Sequence, residues 1–231
     1  MNRYDAILLD ADDTLMDFQL AEKHALSQVL ARLNMDTEEA TSAYHKANSA
    51  CWRALERGEL TQQRLRYKRF EDFFEIVGCK ADPVEVGNWY IEALSHQGPL
   101  LPGALDVVKE IAKHRPIAIV TNGIAPIQHG RMDASGLNPY VKALVISDEM
   151  GVAKPNPKLI HEALKQLGGI KPTRALMVGD SLATDVTCAR NAGVDACWLN
   201  AKGAKADPKL PIAYEITDIS QLPAIALGVL P

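Results

Sequence analysis

Five short runs of uninterrupted apolar residues set the strongest limit on how this chain can fold. They are AILL (6–9), IAIV (117–120), ALVI (143–146), ALMV (175–178) and ACWL (196–199). None alternates apolar with polar residues, as a strand with one wet face would. A run that is apolar at every position suits a strand buried on both sides, the situation of a parallel sheet covered by helices. Helix-like segments lie between the later runs, near 103–114, 124–135, 156–168 and 182–192. Pro116, Gly136, Gly168, Gly169 and Gly193 stand where those helices should stop. Strand and helix therefore alternate from about residue 100 onward, which predicts an α/β core built on a doubly wound, Rossmann-like parallel sheet.

One interval breaks the alternation. Between the first and second runs lie roughly a hundred residues with no convincing strand, far more than a single crossover needs. Ala21, Ala25, Leu26, Val29, Leu30 and Leu33 form a stripe at helical spacing. Further helices are expected at 37–57, 61–77 and 83–97, broken at Gly58, Gly78 and Pro83. Residues 17–97 thus read as an inserted all-helical cap, with QGPLLPG (97–103) as the return linker and 1–16 plus 98–231 as the core.

Composition narrows the function classes. Apolar residues make up 47% and charged residues 23% of the 231, ordinary values for a globular protein. A formal charge of −4 gives no bulk attraction for nucleic acid or an anionic membrane, although a local anion site remains open. The cysteines Cys51, Cys79, Cys188 and Cys197 form no CxxC pair, so reduced thiols in the cytoplasm are the expectation. No charged-then-apolar leader opens the chain and no run approaches the ~20 apolar residues of a membrane span. Neither GxxxxGK[ST] nor GxGxxG occurs, and the histidines form no close pair.

Ligands of open α/β sheets bind at the carboxyl ends of the strands, so the residues just beyond each run matter most. After the first come Asp10, Asp12, Asp13 and Thr14; after the second, TNG with Thr121 and Asn122. SDEMGVAKPNP with Lys154 comes after the third, and GDSLATD with Asp180 and Asp185 after the fourth. Each residue alone has a plain reading. Asp180 would be a helix N-cap, Thr121 a turn residue, Lys154 a solvated lysine and Asp185 a first-turn acid. Three acids within four residues are different, because they repel one another unless a cation is present. Mg²⁺ is hard, prefers oxygen, and is held by one or two carboxylates plus water and phosphate. A hydroxyl and a lysine beside paired acids suit phosphoryl transfer, in which a carboxylate can serve as nucleophile and a second acid can move the proton.

The segments DADDT, TN, AKPNP and GDSLATD, in this order, resemble the four motifs of the haloacid dehalogenase-like phosphohydrolase superfamily. The helical insert falls where such enzymes carry a cap. The resemblance implies Asp10 as nucleophile and Mg²⁺ ligand, with Asp12 as general acid/base and its carbonyl on the metal. It implies Thr121 and Asn122 as phosphate-binding, and Lys154 as steadying Asp10 and the phosphoryl group. Asp180 becomes a further metal ligand and Asp185 orients a metal-bound water. An acid at position 12 favours phosphate esters over carbon–halogen bonds, since an alkoxide needs a proton to leave and a halide does not. Asp13 stands where most relatives have glycine. With LPGA, VISDEMGVAKPNPK, LMVGDS and CWLNA, it resembles the pyrimidine 5′-nucleotidase subgroup.

The expected partner is therefore a small phosphate ester, a nucleoside monophosphate, bound by a monomer or homodimer. Other phosphatases of the superfamily, acting on a sugar phosphate or phosphoglycolate, are the alternative, followed by a phosphomutase. A phospho-acceptor signalling module is the reading from a different class. In the cap, Phe18 and Trp52 could stack on a base but suit core packing better, with the hinge near 15–19 and 97–102. The run RLRYKR (Arg64, Arg66, Lys68, Arg69) reads as a solvated helix face rather than a substrate or RNA contact.

Overall fold

The computed structural model describes residues 3–228. All five apolar runs are strands: β1 (Ala6–Leu9), β2 (Ile117–Thr121), β3 (Ala143–Ile146), β4 (Ala175–Gly179) and β5 (Asp195–Leu199). A sixth, β6 (Tyr214–Ile216), joins at the edge. Among the described residues these make one parallel sheet of order β3-β2-β1-β4-β5-β6. That is the Rossmann order, with its topological switch between β1 and β4. Leu8 pairs in register with Ala118 on one side and Met177 on the other. All of β1, β2 and β4 is buried, which is why those sequences could not alternate.

Two compact units are present. The first consists of the chain through Phe18, Gly98–Ala125, and the chain from Ser135 onward. It holds the sheet, with α5 (Ala104–Ala112), α7 (Ser147–Met150), α8 (Lys158–Gln166), α9 (Thr187–Ala192) and α10 (Leu222–Ala226). Here the outgoing and returning segments pair: Asp17 N–H donates to the Pro99 carbonyl (3.0 Å) and Leu101 N–H to that of Leu15 (2.9 Å).

The second unit is helical: Gln19–Gln97 together with Pro126–Ala134. It contains α1 (Phe18–Arg32) from residue 19 onward, α2 (Glu38–Glu56), α3 (Gln62–Val77) and α4 (Pro83–Ser95). Thr37, Thr61 and Asp82 accept backbone N–H groups at the starts of α2, α3 and α4, and Gly78 ends α3 in the left-handed region at φ 68°. Most of α6 (Ala125–Ser135) belongs to this unit rather than to the sheet's layers. Gly130 permits that, since a Cβ there would lie 2.6 Å from the Ser95 carbonyl oxygen.

The unit's core is aromatic: Tyr44, Phe70, Phe73, Phe74 and Tyr90 are all buried. The basic run departs from the solvated face expected of it. Arg64 pairs with Glu71 (2.6 Å) and Lys68 with Asp72, but Arg69 is 2% exposed and lies 4.4 Å from the Tyr90 ring centroid. The physical reason is register: Arg69 falls at i+4 from Leu65 and i−4 from Phe73, on the buried stripe of α3.

Candidate active site

The carboxyl ends of β1, β2 and β4, with the irregular segment after α7, bring five of the expected residues together: Asp10, Asn122, Lys154, Asp180 and Asp185. Asp10 follows β1 and is 7% exposed. Its main chain continues the sheet, N–H donating to the Val178 carbonyl at 2.9 Å. Its side chain is fixed on both oxygens: Lys154 Nζ donates to Oδ1 (2.5 Å) and Thr14 Oγ1 to Oδ2 (3.2 Å). Lys154 also donates to the Val120 carbonyl (2.8 Å) and to Asp185 Oδ1 (2.6 Å). Three acceptors match the three N–H bonds of one ammonium. So Lys154 is a buried hub, where the plain reading had a solvated side chain.

Asp185 reaches that hub from a π-helical turn, Leu182–Val186, that leads into α9. Its Oδ2 accepts the Ser181 N–H at 3.1 Å. Gly179, the last residue of β4, is what lets it in: a Cβ there would lie 2.3 Å from the Asp185 carboxylate. Gly179→Ala is therefore expected to push Asp185 off Lys154 and to destabilise the fold by about 1–3 kcal/mol through overpacking. Urea unfolding of the variant measures it, and an unchanged midpoint would contradict this packing.

The electrostatics arise from burial of several acids near one cation. Burial works against the charge on Lys154, but Asp10 and Asp185 together overcome it and raise its pKa. Asp185 is held above the carboxylate range by burial, since it shares its one counter-charge with Asp10, whose negative charge also acts on it. Asp180, at the end of β4, is pushed up to about 6 by burial first and then by the negative charges of Asp10 and Asp13. Its carbonyl accepts the indole N–H of Trp198 at 2.8 Å.

Asp10, Asp180 and Asp185 each offer an oxygen within 4.8 Å of the others. Opposite ligands of an octahedral Mg²⁺ are about 4 Å apart, so this donor set fits a hard divalent cation. Asp185, which the sequence reading kept outside the ligand set, is inside this cluster. The side chain of Asp12, expected to reach the metal only through its carbonyl, is not.

Thr121 ends β2 and is 1% exposed, with its hydroxyl accepting the Gly123 N–H (3.3 Å). The side chain of Asn122 accepts the Lys154 N–H (2.7 Å) and donates to the Lys154 carbonyl (3.0 Å). Asp13 adopts φ 58°, the left-handed region where glycine is usual and aspartate is tolerated. Its pKa is raised by burial, against which Lys202 acts. Lys202 also opposes the rise of Asp180, and the sequence reading missed it. It stands three residues beyond β5, so carrying the strand-end survey one strand further would have found it.

Comparisons with known proteins bear on the family and the fold. Residues 4–193 match the family model described as haloacid dehalogenase-like hydrolase. The pyrimidine 5′-nucleotidase YjjG of Escherichia coli (strain K12) is 32% identical, covering 95% of this chain and 96% of that protein. The pyrimidine 5′-nucleotidase PynA of Streptococcus pneumoniae is 33% identical, covering 95% and 93%. The crystal structure of the HAD-hydrolase YfnB from Bacillus subtilis, bound to magnesium, superposes with a TM-score of 0.88 at 31% identity, covering 97% of this chain and 99% of that one.

Proposed function

The chain belongs to the haloacid dehalogenase-like hydrolase family, and from that premise we propose that it is a Mg²⁺-dependent phosphomonoesterase acting on pyrimidine nucleoside 5′-monophosphates. The observation that carries this reading is Asp10, a buried carboxylate immobilised by Lys154 and Thr14 at the sheet's switch point, with a second acid two residues on.

The Asp10 carboxylate attacks phosphorus and the ester oxygen departs, leaving an aspartyl-phosphate. Asp12 gives its proton to the departing alkoxide and then takes one from the water that attacks phosphorus, which frees Asp10 and releases inorganic phosphate. The Thr121 hydroxyl donates to a phosphoryl oxygen, and Lys154 holds the Asp10 carboxylate in place through its Oδ1. Asp10 and Asp180, with the Asp12 carbonyl, would hold Mg²⁺, and the Asp185 carboxylate lies within reach of the same ion. When bound, the ion neutralises the clustered acids and the charge that spreads over the phosphoryl oxygens. The choice of a phosphate ester over a halide rests on Asp12, because a departing halide needs no proton. The choice of pyrimidine nucleotides rests on the two nucleotidase relatives and on Asp13.

A panel of phosphorylated metabolites tests both levels. Pyrimidine monophosphates should turn over at least about tenfold faster than purine monophosphates or sugar phosphates, a preference of ~1.4 kcal/mol. EDTA should abolish the activity, and added Mg²⁺ should restore it. Fastest turnover of a sugar phosphate would overturn the substrate class and leave the chemistry standing. Full activity in EDTA would overturn the metal dependence.

A further inference from the structure

We infer that Asn122 is a positioning residue for Lys154, acting on the phosphoryl-transfer reaction through that lysine rather than as a side-chain ligand of phosphate; this rests on the reading of Asp10 as nucleophile. Lys154 lies in the irregular segment between α7 and α8, where neither a helix nor a strand fixes its backbone. Yet its ammonium meets Asp10, Val120 and Asp185 at 2.5, 2.8 and 2.6 Å. Meeting three acceptors at once needs the Cα held as firmly as the head group.

The end of β2 supplies both restraints. The Val120 carbonyl takes one N–H of the ammonium, and two residues later the Asn122 carboxamide takes the main chain. Its oxygen accepts the Lys154 N–H at 2.7 Å and its amide donates to the Lys154 carbonyl at 3.0 Å. This is the pair of bonds an adjacent strand would make, here provided by a side chain. A carboxamide offers a donor and an acceptor side by side in one plane at every ordinary pH. Aspartate would keep the first bond and set a carboxylate against the carbonyl. Both polar ends of Asn122 are thus engaged on one residue's backbone, which gives a physical reason for asparagine after Thr121.

The test compares wild type, Asn122→Ala and Asn122→Asp by kcat and by the competitive inhibition constant of inorganic phosphate. A positioning role predicts a kcat loss of roughly 10–100-fold, as for a misplaced catalytic group, with phosphate affinity unchanged within about threefold. A phosphate inhibition constant raised about tenfold or more would make Asn122 a phosphate ligand and overturn the inference. An unchanged kcat would overturn it too. Lys154→Met and the double variant complete the cycle, read as urea unfolding midpoints so that it does not depend on turnover. Asn122→Ala gives up the same two main-chain bonds in either background, so the coupling is the additional loss seen in wild type, where the ammonium is also displaced, and an equal loss in both would contradict it. Absence of phosphatase activity in the wild-type enzyme would instead count against the functional reading. The unfolding cycle would still decide whether Asn122 and Lys154 are coupled.

Discussion

Asp10→Asn is expected to lower kcat by at least about 10³-fold, the scale seen when a covalent nucleophile is removed. The substitution is close to isosteric, so one polar atom of the new side chain can still accept from Lys154 where Oδ1 accepts now. The carboxamide cannot form the phosphoryl bond, and it brings a neutral group to the lysine. Lys154 keeps Asp185 at 2.6 Å and the Val120 carbonyl at 2.8 Å, so the fold should survive. Circular dichroism and urea unfolding would establish that, and initial rates on the best nucleotide would give the activity loss. A variant that folds and keeps most of its turnover would remove Asp10 from the mechanism.

Lys154→Met should be the most damaging single change to stability. It leaves two buried carboxylates, Asp10 and Asp185, without the cation that joins them. Breaking a buried ion pair by removing one partner costs about 3–5 kcal/mol. The acids set the sign of the pH effect. A carboxyl whose folded pKa is raised above its unfolded value favours the folded state while both states are protonated. That contribution is lost as pH rises from the unfolded value through the folded one. Asp180 rises from its ordinary value of 3.8 to about 6 in the fold, and Asp185 is shifted the same way. In EDTA, wild type should therefore lose stability between about pH 4 and pH 7. Lys154→Met should lose more, with its deficit largest at pH 8 and smallest at pH 5, because Asp185 then titrates without its counter-charge. Urea midpoints at the two pH values check this. A loss below about 1 kcal/mol at pH 8 would mean that the buried hub contributes little.

Much of the fold could be read from the chain because burial leaves a plain trace. Strands covered on both faces must be apolar throughout, so β1 to β5 announced themselves, and Gly58, Gly78 and Pro83 marked the breaks between helices of the insert. The strand β6, three residues with an exposed glutamate between Tyr214 and Ile216, carries no such trace. The four-residue α7 is equally silent. The pattern of α6 reads the same whether its apolar face meets a sheet or other helices, and only the approach of Gly130 to Ser95 shows its unit. Arg69 misled because charge suggested solvent, while its register put it on the aromatic stripe.

The site was legible at the level of residue type, since strand ends gather ligands and clustered acids need a cation. Sequence could not show which partners each group takes. The three-way grip on Lys154, the two-point hold of Asn122 and the entry of Asp185 past Gly179 depend on distances set by segments far apart in the chain.

Phosphate is expected to pass through Asp10 on its way from ester to water. The most direct test mixes enzyme with a pyrimidine nucleoside monophosphate and Mg²⁺, quenches in acid during turnover, and maps the peptides by mass spectrometry. A phosphoryl group on the peptide carrying Asp10, discharged by hydroxylamine and missing from Asp10→Asn, is the predicted result. Burst kinetics of nucleoside release with no phosphorylated peptide at Asp10, or label on another residue, would contradict it.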